Sequence, residues 1–590
     1  MKIYLLGLVF IGILLVSFYG YGYIFQKTII KKPFPYTLLI CIGICEVIFI
    51  GGILNLFKLI SPALNVVIVA IGFFVGILRI IHIGYQRKSD FRLKKLLDIK
   101  FIIIFVILLI SVLSGIYTNK FNTGDDFQAY FVYPNKMLQT GSIGVDQFSD
   151  RLTISSFGGK YYLDSIVLTF FSETKLNIID QSISLLLIAF LLFEFGLSRK
   201  IDKQIIFGVL LSFLILAGLI VNITSYYLAT LLLLAMLWVL FYYPKEFLAF
   251  AMLASAIITM KFTFLFTVLM LVALYLWKGK LKISLMIKTS LALMMLLLPW
   301  SISSFQNSGT FLYGVLGYGI ESEYGVSSFE NIQRDFPIFL INLLVQNINL
   351  IIIWLLLFLS NKNTSKFLIF ISILSAVIIM VLTGGYGLDR YTAPFINAII
   401  FFLILQINSE GRALQYLIIG MLIALNTGSY YQQLSLKFKN ISEGLNTIDN
   451  ISSKINPVYR TIQKLIPENE NILIRVRLNY TFDFKRNNIL LMDYPGAFGP
   501  SPGYPRQKDA LILREYLLKN NVKYIIYDMN EEDLWLKSID VQNRLANKGG
   551  KWIQREAINV VEFNKNMKEL KDYIIYDDET TIVYKLDKLY

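Results

Sequence analysis

Soft metal ligands are nearly missing from this chain, whose 590 residues hold two cysteines and one histidine. Cys41 and Cys45 lie four apart on one face of an apolar run, where a small hydrophobe packs well. Neither a disulfide framework nor a cysteine metal site is expected from them. His82 sits in an apolar run near its inner boundary, which removes histidine catalysis and histidine metal clusters from the opposite face. No glycine-rich phosphate loop of the Walker type occurs, so direct use of ATP is not expected. Internal repeats are not evident either, and the inverted-repeat signature of many secondary carriers is missing with them.

Charge is sparse as well, 16% against 56% hydrophobic residues, and mean hydropathy is +0.61. Apolar runs near the roughly 20 residues needed to cross a bilayer recur along the first 430 positions, so the chain reads as a polytopic α-helical membrane protein. Candidate spans fall at about 3–25, 35–57, 62–84, 101–118, 178–198, 204–221, 226–243, 247–262, 263–277, 285–303, 338–359, 367–384, 391–408 and 414–431, about fourteen in all. The first ends in Tyr19-Gly20-Tyr21-Gly22-Tyr23 without a small-residue cleavage site and is read as a retained span.

The net charge of +15 does not point to nucleic acid. Positive residues cluster in short connections: Lys27, Lys31 and Lys32; Arg87, Lys88, Arg92, Lys94 and Lys95; Arg199, Lys200 and Lys203; Lys278, Lys280 and Lys282. Such clusters mark cytoplasmic loops, and the tail lacks the basic stripe that a phosphate backbone needs. With these loops inside, alternation puts 119–177, 304–337 and 432–590 together on the outer face. The weak point is the pair 247–262 and 263–277, separated only by a very short turn at Lys261; merging them would invert everything downstream.

Beyond residue 431 short β-type runs alternate with a helix: 471–476, 489–492, helix 508–518 and strand 522–528, then a hairpin at 573–584 that turns at acidic residues. The expectation is an extracytoplasmic α/β domain over 432–590. Between two strands, 493–505 is rich in Pro and Gly and carries Tyr494, whose ring could stack on a sugar; the segment reads equally as a functional loop or a structural turn.

Asp125 and Asp126 stand at the outer end of the fourth span. Two adjacent carboxylates there must be hydrated or paired, because desolvation and like charge both disfavour ionisation. Neighbouring side chains on a helix diverge by about 100°, so the pair does not easily chelate one ion, and separate roles as base and partner are more natural. From periodicity alone the simpler reading is a capped helix N-terminus. Asp146 and Asp150, in the same loop, read as solvated acids. Lys261 either snorkels or marks a polar pathway, and Arg390, next to Asp389, either anchors a span end or faces a ligand.

The order Asp-Asp-x-x-Ala-Tyr-x-x-x-Pro-x-Lys-Met-Leu-Gln-Thr-Gly from Asp125 to Gly141 resembles the first extracytoplasmic loop of GT-C glycosyltransferases of the protein-mannosyltransferase and lipid A aminoarabinose-transferase type. Phe157-Gly158-Gly159-Lys160-Tyr161-Tyr162, Pro299-Trp300, Ser308-Gly309-Thr310-Phe311-Leu312-Tyr313 and Arg390-Tyr391 with Pro394 are similar to later segments of that family, in the same order, over about 101–430. Two departures stand out. The family's Lys-Pro-Pro after the loop is absent, and three spans in 1–100 precede the usual start, as an added module.

The resemblance implies a GT-C core at 101–431 with its catalytic loop at 119–177, acting on a polyprenyl-phosphate-linked sugar. It implies transfer, with inversion at the anomeric carbon, to a glycolipid, cell-envelope polysaccharide or protein acceptor. Carried over by position, Asp125 is the base and Asp126 its partner; Lys160, Arg390 and Lys261 are the candidates for the donor phosphate; Tyr130, Tyr391 and Tyr494 are candidate substrate contacts. No cofactor is expected, and a divalent cation held by carboxylates alone stays open without a motif to support it. The rival readings are a transporter or flippase for lipid-linked sugars and a noncatalytic envelope-assembly protein. Abundant Ile, Lys and Asn, the retained first span and the lack of disulfides suggest a bacterial plasma (inner) membrane.

Overall fold

The computed structural model describes residues 2–30, 32–86, 99–118, 121–122, 125–149, 152, 156–218, 222–261, 263–279, 282–312, 337, 341, 348–360, 363–382, 391–407, 411–446, 457–492, 505, 507–529, 536–546 and 551–588. Helices α1 (Lys2–Ile29), α2 (Tyr36–Leu56), α3 (Pro62–Gln86) and α4 (Ile99–Ile116) lead into an outer segment with two short helices, α5 (Val132–Thr140) and α6 (Gly159–Phe170). A wide π-helical stretch, Ile178–Ser184, opens α7 (Leu185–Ser198). The bundle continues with α8 (Lys203–Leu216), α9 (Tyr226–Tyr242), α10 (Phe247–Met260), α11 (Phe264–Lys278) and α12 (Ile283–Ser308). It closes with α13 (Ile348–Ser360), α14 (Asn363–Leu382), α15 (Ala393–Ile404) and the 35-residue α16 (Arg412–Asn446).

Every predicted apolar run coincides with an apolar helix, but the lengths fall into two classes. Among the described residues seven helices are long and apolar enough to cross a membrane, and seven more are apolar yet shorter. A 14-residue helix such as α10 reaches only about 21 Å, against about 30 Å of hydrocarbon. Length therefore vouches for seven crossings and not for fourteen.

The doubtful pair at Lys261 is two helices folded back on each other. Phe250 of α10 stacks on Tyr275 of α11 with centroids 4.1 Å apart, and the Tyr275 hydroxyl donates to the Pro244 carbonyl at 2.8 Å. Contacts between the far ends of the two helices require the chain to reverse at 261–263, where Lys261 is extended (φ −161°).

The first three helices share one hydrophobic core with the rest of the bundle. Pro35 begins α2 without a side-chain cap, and Glu194 of α7 supplies it by accepting the amides of Tyr36 and Thr37, both at 3.0 Å. Helices α1, α2 and α3 approach through glycines: a Cβ on Gly20 would lie 1.9 Å from the Gly72 carbonyl oxygen, and one on Gly43 1.8 Å from that of Phe18. Farther along α2, Asn55 donates to Ser303 of α12 (3.1 Å) and accepts the Ile143 amide (2.8 Å), which ties this helix to the outer segment.

After the short α17 (Pro457–Gln463), strands β1 (Asn471–Arg475), β2 (Asn488–Leu491), β3 (Tyr524–Asp528), β4 (Ile574–Asp577) and β5 (Thr581–Lys585) form one sheet in the order β2-β1-β3-β5-β4. The first three are parallel and the last two antiparallel. Helix α18 (Ala510–Lys519) makes the crossover; Asp509 caps it by accepting the amides of Leu511 (2.8 Å) and Ile512 (3.1 Å). Alternation splits the strands: Leu473, Leu490 and Tyr527 face α18 and α19 (Lys551–Glu569), whereas Ile472, Ile474 and Ile526 join the core of the bundle. The hairpin expected at the acidic residues is present, with Asp578 accepting the amides of Thr580 (3.0 Å) and Thr581 (2.7 Å).

Because the Gly20 contact is with backbone and not with a side chain that can swing away, Gly20→Ala is expected to lower stability by about 1–3 kcal/mol. Thermal unfolding in detergent, with Gly12→Ala as the control in open space, checks this.

Candidate active site

The acidic pair opens a π-helical turn, Asp126–Tyr130, in which the Phe131 amide reaches back five residues to the Asp126 carbonyl at 2.9 Å. Wide turns of this kind are rare and tend to occur at functional sites. The capping reading fails on geometry, since the Asp125 side chain makes no capping bond to the turn. Both carboxylates instead reach away from it. Asp126 is fully buried and accepts the backbone amides of Asn122 and Ile223, each at 2.8 Å. Asp125 is half-buried, and its Oδ2 accepts the side-chain amides of Asn222 at 2.8 Å and Asn122 at 3.3 Å.

The two acids therefore differ in access and not in kind. Burial pushes the Asp126 carboxyl up from its ordinary 3.8 to about 7; the amides of Ile223 and Asn122 hold it down, neighbouring Asp125 adds to the rise, and the Lys160 charge opposes it. Lys160 is itself fully buried, on α6, in an ion pair with Asp164 one turn along. Desolvation raises the Asp164 carboxyl to about 6 against the pull of that lysine.

Several of the segments singled out in the sequence pack on one another. Gly158 has φ +127°, and a Cβ there would lie 2.1 Å from the Trp300 ring. Trp300 donates to the Ile48 carbonyl at 3.2 Å, while Phe157 donates to the Thr259 carbonyl at 3.1 Å. Thr259 stands two residues before Lys261, whose ammonium lies 4.0 Å from the centroid of the Tyr391 ring. Tyr130 is buried, with its ring 6.0 Å from that of Tyr161. Arg390, Asp150 and Tyr494 lie outside the described residues.

The α/β domain rests on the same segment. Tyr480 packs against Phe131 and Phe127, with centroids 4.9 and 5.7 Å away, Gln128 pairs with Asn479, and Gln139 accepts the Phe484 amide at 2.8 Å. Asp146 is fully buried, which corrects its reading as a solvated loop acid. It accepts the Leu491 amide of β2 (3.0 Å) and the Tyr133 hydroxyl of α5 (3.3 Å), and its own amide donates to Asn307 of α12 (2.7 Å).

Asn222 and Ile223 are the residues around the pair that sequence reasoning missed, and Asp146 is one that it misread. For the first two the only local signal is the polar stretch Asn222-Ile223-Thr224-Ser225 that interrupts two apolar runs. Among the described residues no group of three or more His, Cys, Asp or Glu side chains is placed to hold a metal ion.

Between the ordinary value and about 7 the folded chain holds a proton on Asp126 that the unfolded chain has lost, so stability falls as pH rises through that window. Asp126→Asn removes the titration and keeps one acceptor oxygen, so one of the two backbone amides loses its partner. Thermal unfolding from about pH 4 to pH 8 is expected to show a shallower decline for the variant than for the wild type.

No family model matches the chain, and no curated protein matches it. Among solved structures, one match is the oligosaccharyltransferase of Archaeoglobus fulgidus in complex with zinc and sulfate, at 12% identity and a TM-score of 0.38; the alignment covers 82% of this chain and 73% of that one.

Proposed function

We propose that this chain is a membrane glycosyltransferase of GT-C architecture, transferring a sugar from a polyprenyl phosphate to an extracytoplasmic cell-envelope acceptor with inversion at the anomeric carbon. The observation that carries the reading is the unequal pair: a half-buried carboxylate held by two side-chain amides, with a fully buried one locked beneath it by two backbone amides. Asp125 is the general base. It takes the proton of the acceptor hydroxyl as that oxygen attacks the anomeric carbon, and the carbon–oxygen bond to the lipid phosphate breaks on the opposite side. Asp126 holds the turn that presents it.

The departing phosphate is anionic and needs a cation at the same surface. Lys160 is sealed in its pair with Asp164, so reaching it would mean breaking a buried ion pair. Lys261 suits the role better: it caps the α10–α11 reversal, next to the segment that begins α6, and lies over Tyr391. Arg390, adjacent in sequence to Tyr391, remains its candidate companion, and Tyr130, Tyr391 and Tyr494 the candidate sugar contacts. The α/β domain roofs the pair and forms the acceptor side. The reading takes all fourteen apolar helices, the seven shorter ones included, as spans and the basic connections as cytoplasmic, which sets loop and domain together outside a plasma membrane.

Glycan and glycolipid mass spectrometry of a deletion strain carrying wild type, Asp125→Asn or Lys261→Met at matched membrane abundance tests the proposal. The expected result is a sugar-sized mass restored by wild type and lost at least about a hundredfold in Asp125→Asn, the low end of a general base's contribution. Lys261→Met is expected to give less product with donor limiting. Full restoration by Asp125→Asn would sink the catalytic assignment.

A further inference from the structure

Asn222 lies 97 residues from Asp125 in sequence, yet its side-chain amide donates to Asp125 Oδ2 at 2.8 Å, closer than the 3.3 Å of Asn122 from the same loop. Its backbone surroundings are held independently of that bond. The next residue, Ile223, gives its amide to the buried Asp126, and five residues farther the Leu228 amide donates to the buried Asp180 at 2.8 Å. Two buried carboxylates thus pin the entry to α9 on either side of the turn, and Tyr227 bonds back to the Gly218 carbonyl. A side chain projecting from a segment fixed in this way is preorganised, which is the condition for holding a reactive group to within a fraction of an ångström.

Resting on the proposal that Asp125 is the base, we infer that Asn222 is its positioning residue: the amide fixes the rotamer of Asp125 and favours its ionised form from a loop far away in sequence. An amide NH2 can only donate to a carboxylate oxygen, so this bond is made with the charged form and weakens when Asp125 is protonated. The charged side chains around Asp125 are the adjacent Asp126 and Lys160, which acts on Asp126, is paired with Asp164 on α6 and also acts on Asp180. None of these is altered when Asn222 is replaced.

Loss of the amide removes a hydrogen bond that the charged form of Asp125 accepts, and so raises the pH that it needs for ionisation. The test is the product mass in the deletion strain, grown at about pH 6 and about pH 8.5, with wild type, Asn222→Ala, the isosteric Asn222→Asp and Asp125→Asn at matched abundance. Expected for Asn222→Ala is a loss of up to about tenfold at the lower pH, and a smaller one at the higher. Asn222→Asp sets a second carboxylate against Asp125 and is expected to lose more at the lower pH; where Asn222→Ala fails to accumulate, this variant carries the test.

Equal product from wild type and the Asn222 variants at both values overturns the inference, as does a loss of the same size at both. If Asp125→Asn restores the product, the functional reading itself has failed. If Asp125→Asn abolishes it and the Asn222 variants show no pH-dependent loss, only the positioning role has failed.

Discussion

Burying the Asp126 carboxylate joins two loops that lie 97 residues apart in sequence, and the site depends on that junction. A carboxylate moved out of water is penalised by several kcal/mol unless its oxygens are satisfied, and backbone amides are the donors that satisfy it without side-chain entropy. One comes from Asn122 before the turn and the other from Ile223 before α9, so the carboxylate can be buried only when both segments are in place. Asp125, the next residue back, is then carried to a fixed position at the edge. The π-helical turn is part of the same arrangement, since it widens the helix at the point where neighbouring side chains must diverge to different partners.

Around that junction the chain builds from both sides. From the membrane, α2 supplies Asn55 and a close glycine-lined approach to Tyr162 and Trp300, so the N-terminal helices bear on the outer segment directly. From above, the α/β domain reaches down through Tyr480, Asn479, Phe484 and Leu491. Asp146 connects these layers, touching α5, α12 and β2 at once. Its buried charge has a cation nearby in Lys136, whose own ammonium is pushed below its ordinary range by burial and held up by Asp146.

The two lysines are both buried, in different surroundings. Lys160 follows a glycine pair that lets α6 start against Trp300 and Thr259, and that close approach shuts it away with Asp164. Lys261 falls where α10 cannot continue and the chain reverses, and its charge rests on an aromatic face.

Local physics was enough to read much of this from the residues. Apolar runs become helices because hydropathy is a property of each run by itself, and the strands, the α18 crossover and the acidic hairpin of the tail follow from alternation and turn chemistry that span only a few positions. The adjacency of Asp125 and Asp126, and the placing of their loop beside the tail, were legible for the same reason. Helix length relative to the bilayer was not, because each helix ends where packing and loop contacts stop it. Nor were the unequal burial of the two acids, the sealing of Lys160, the burial of Asp146 or the approach of Asn222. Those depend on polar contacts between distant segments, and a single asparagine meeting a carboxylate 97 residues away leaves no periodic trace in either stretch of chain.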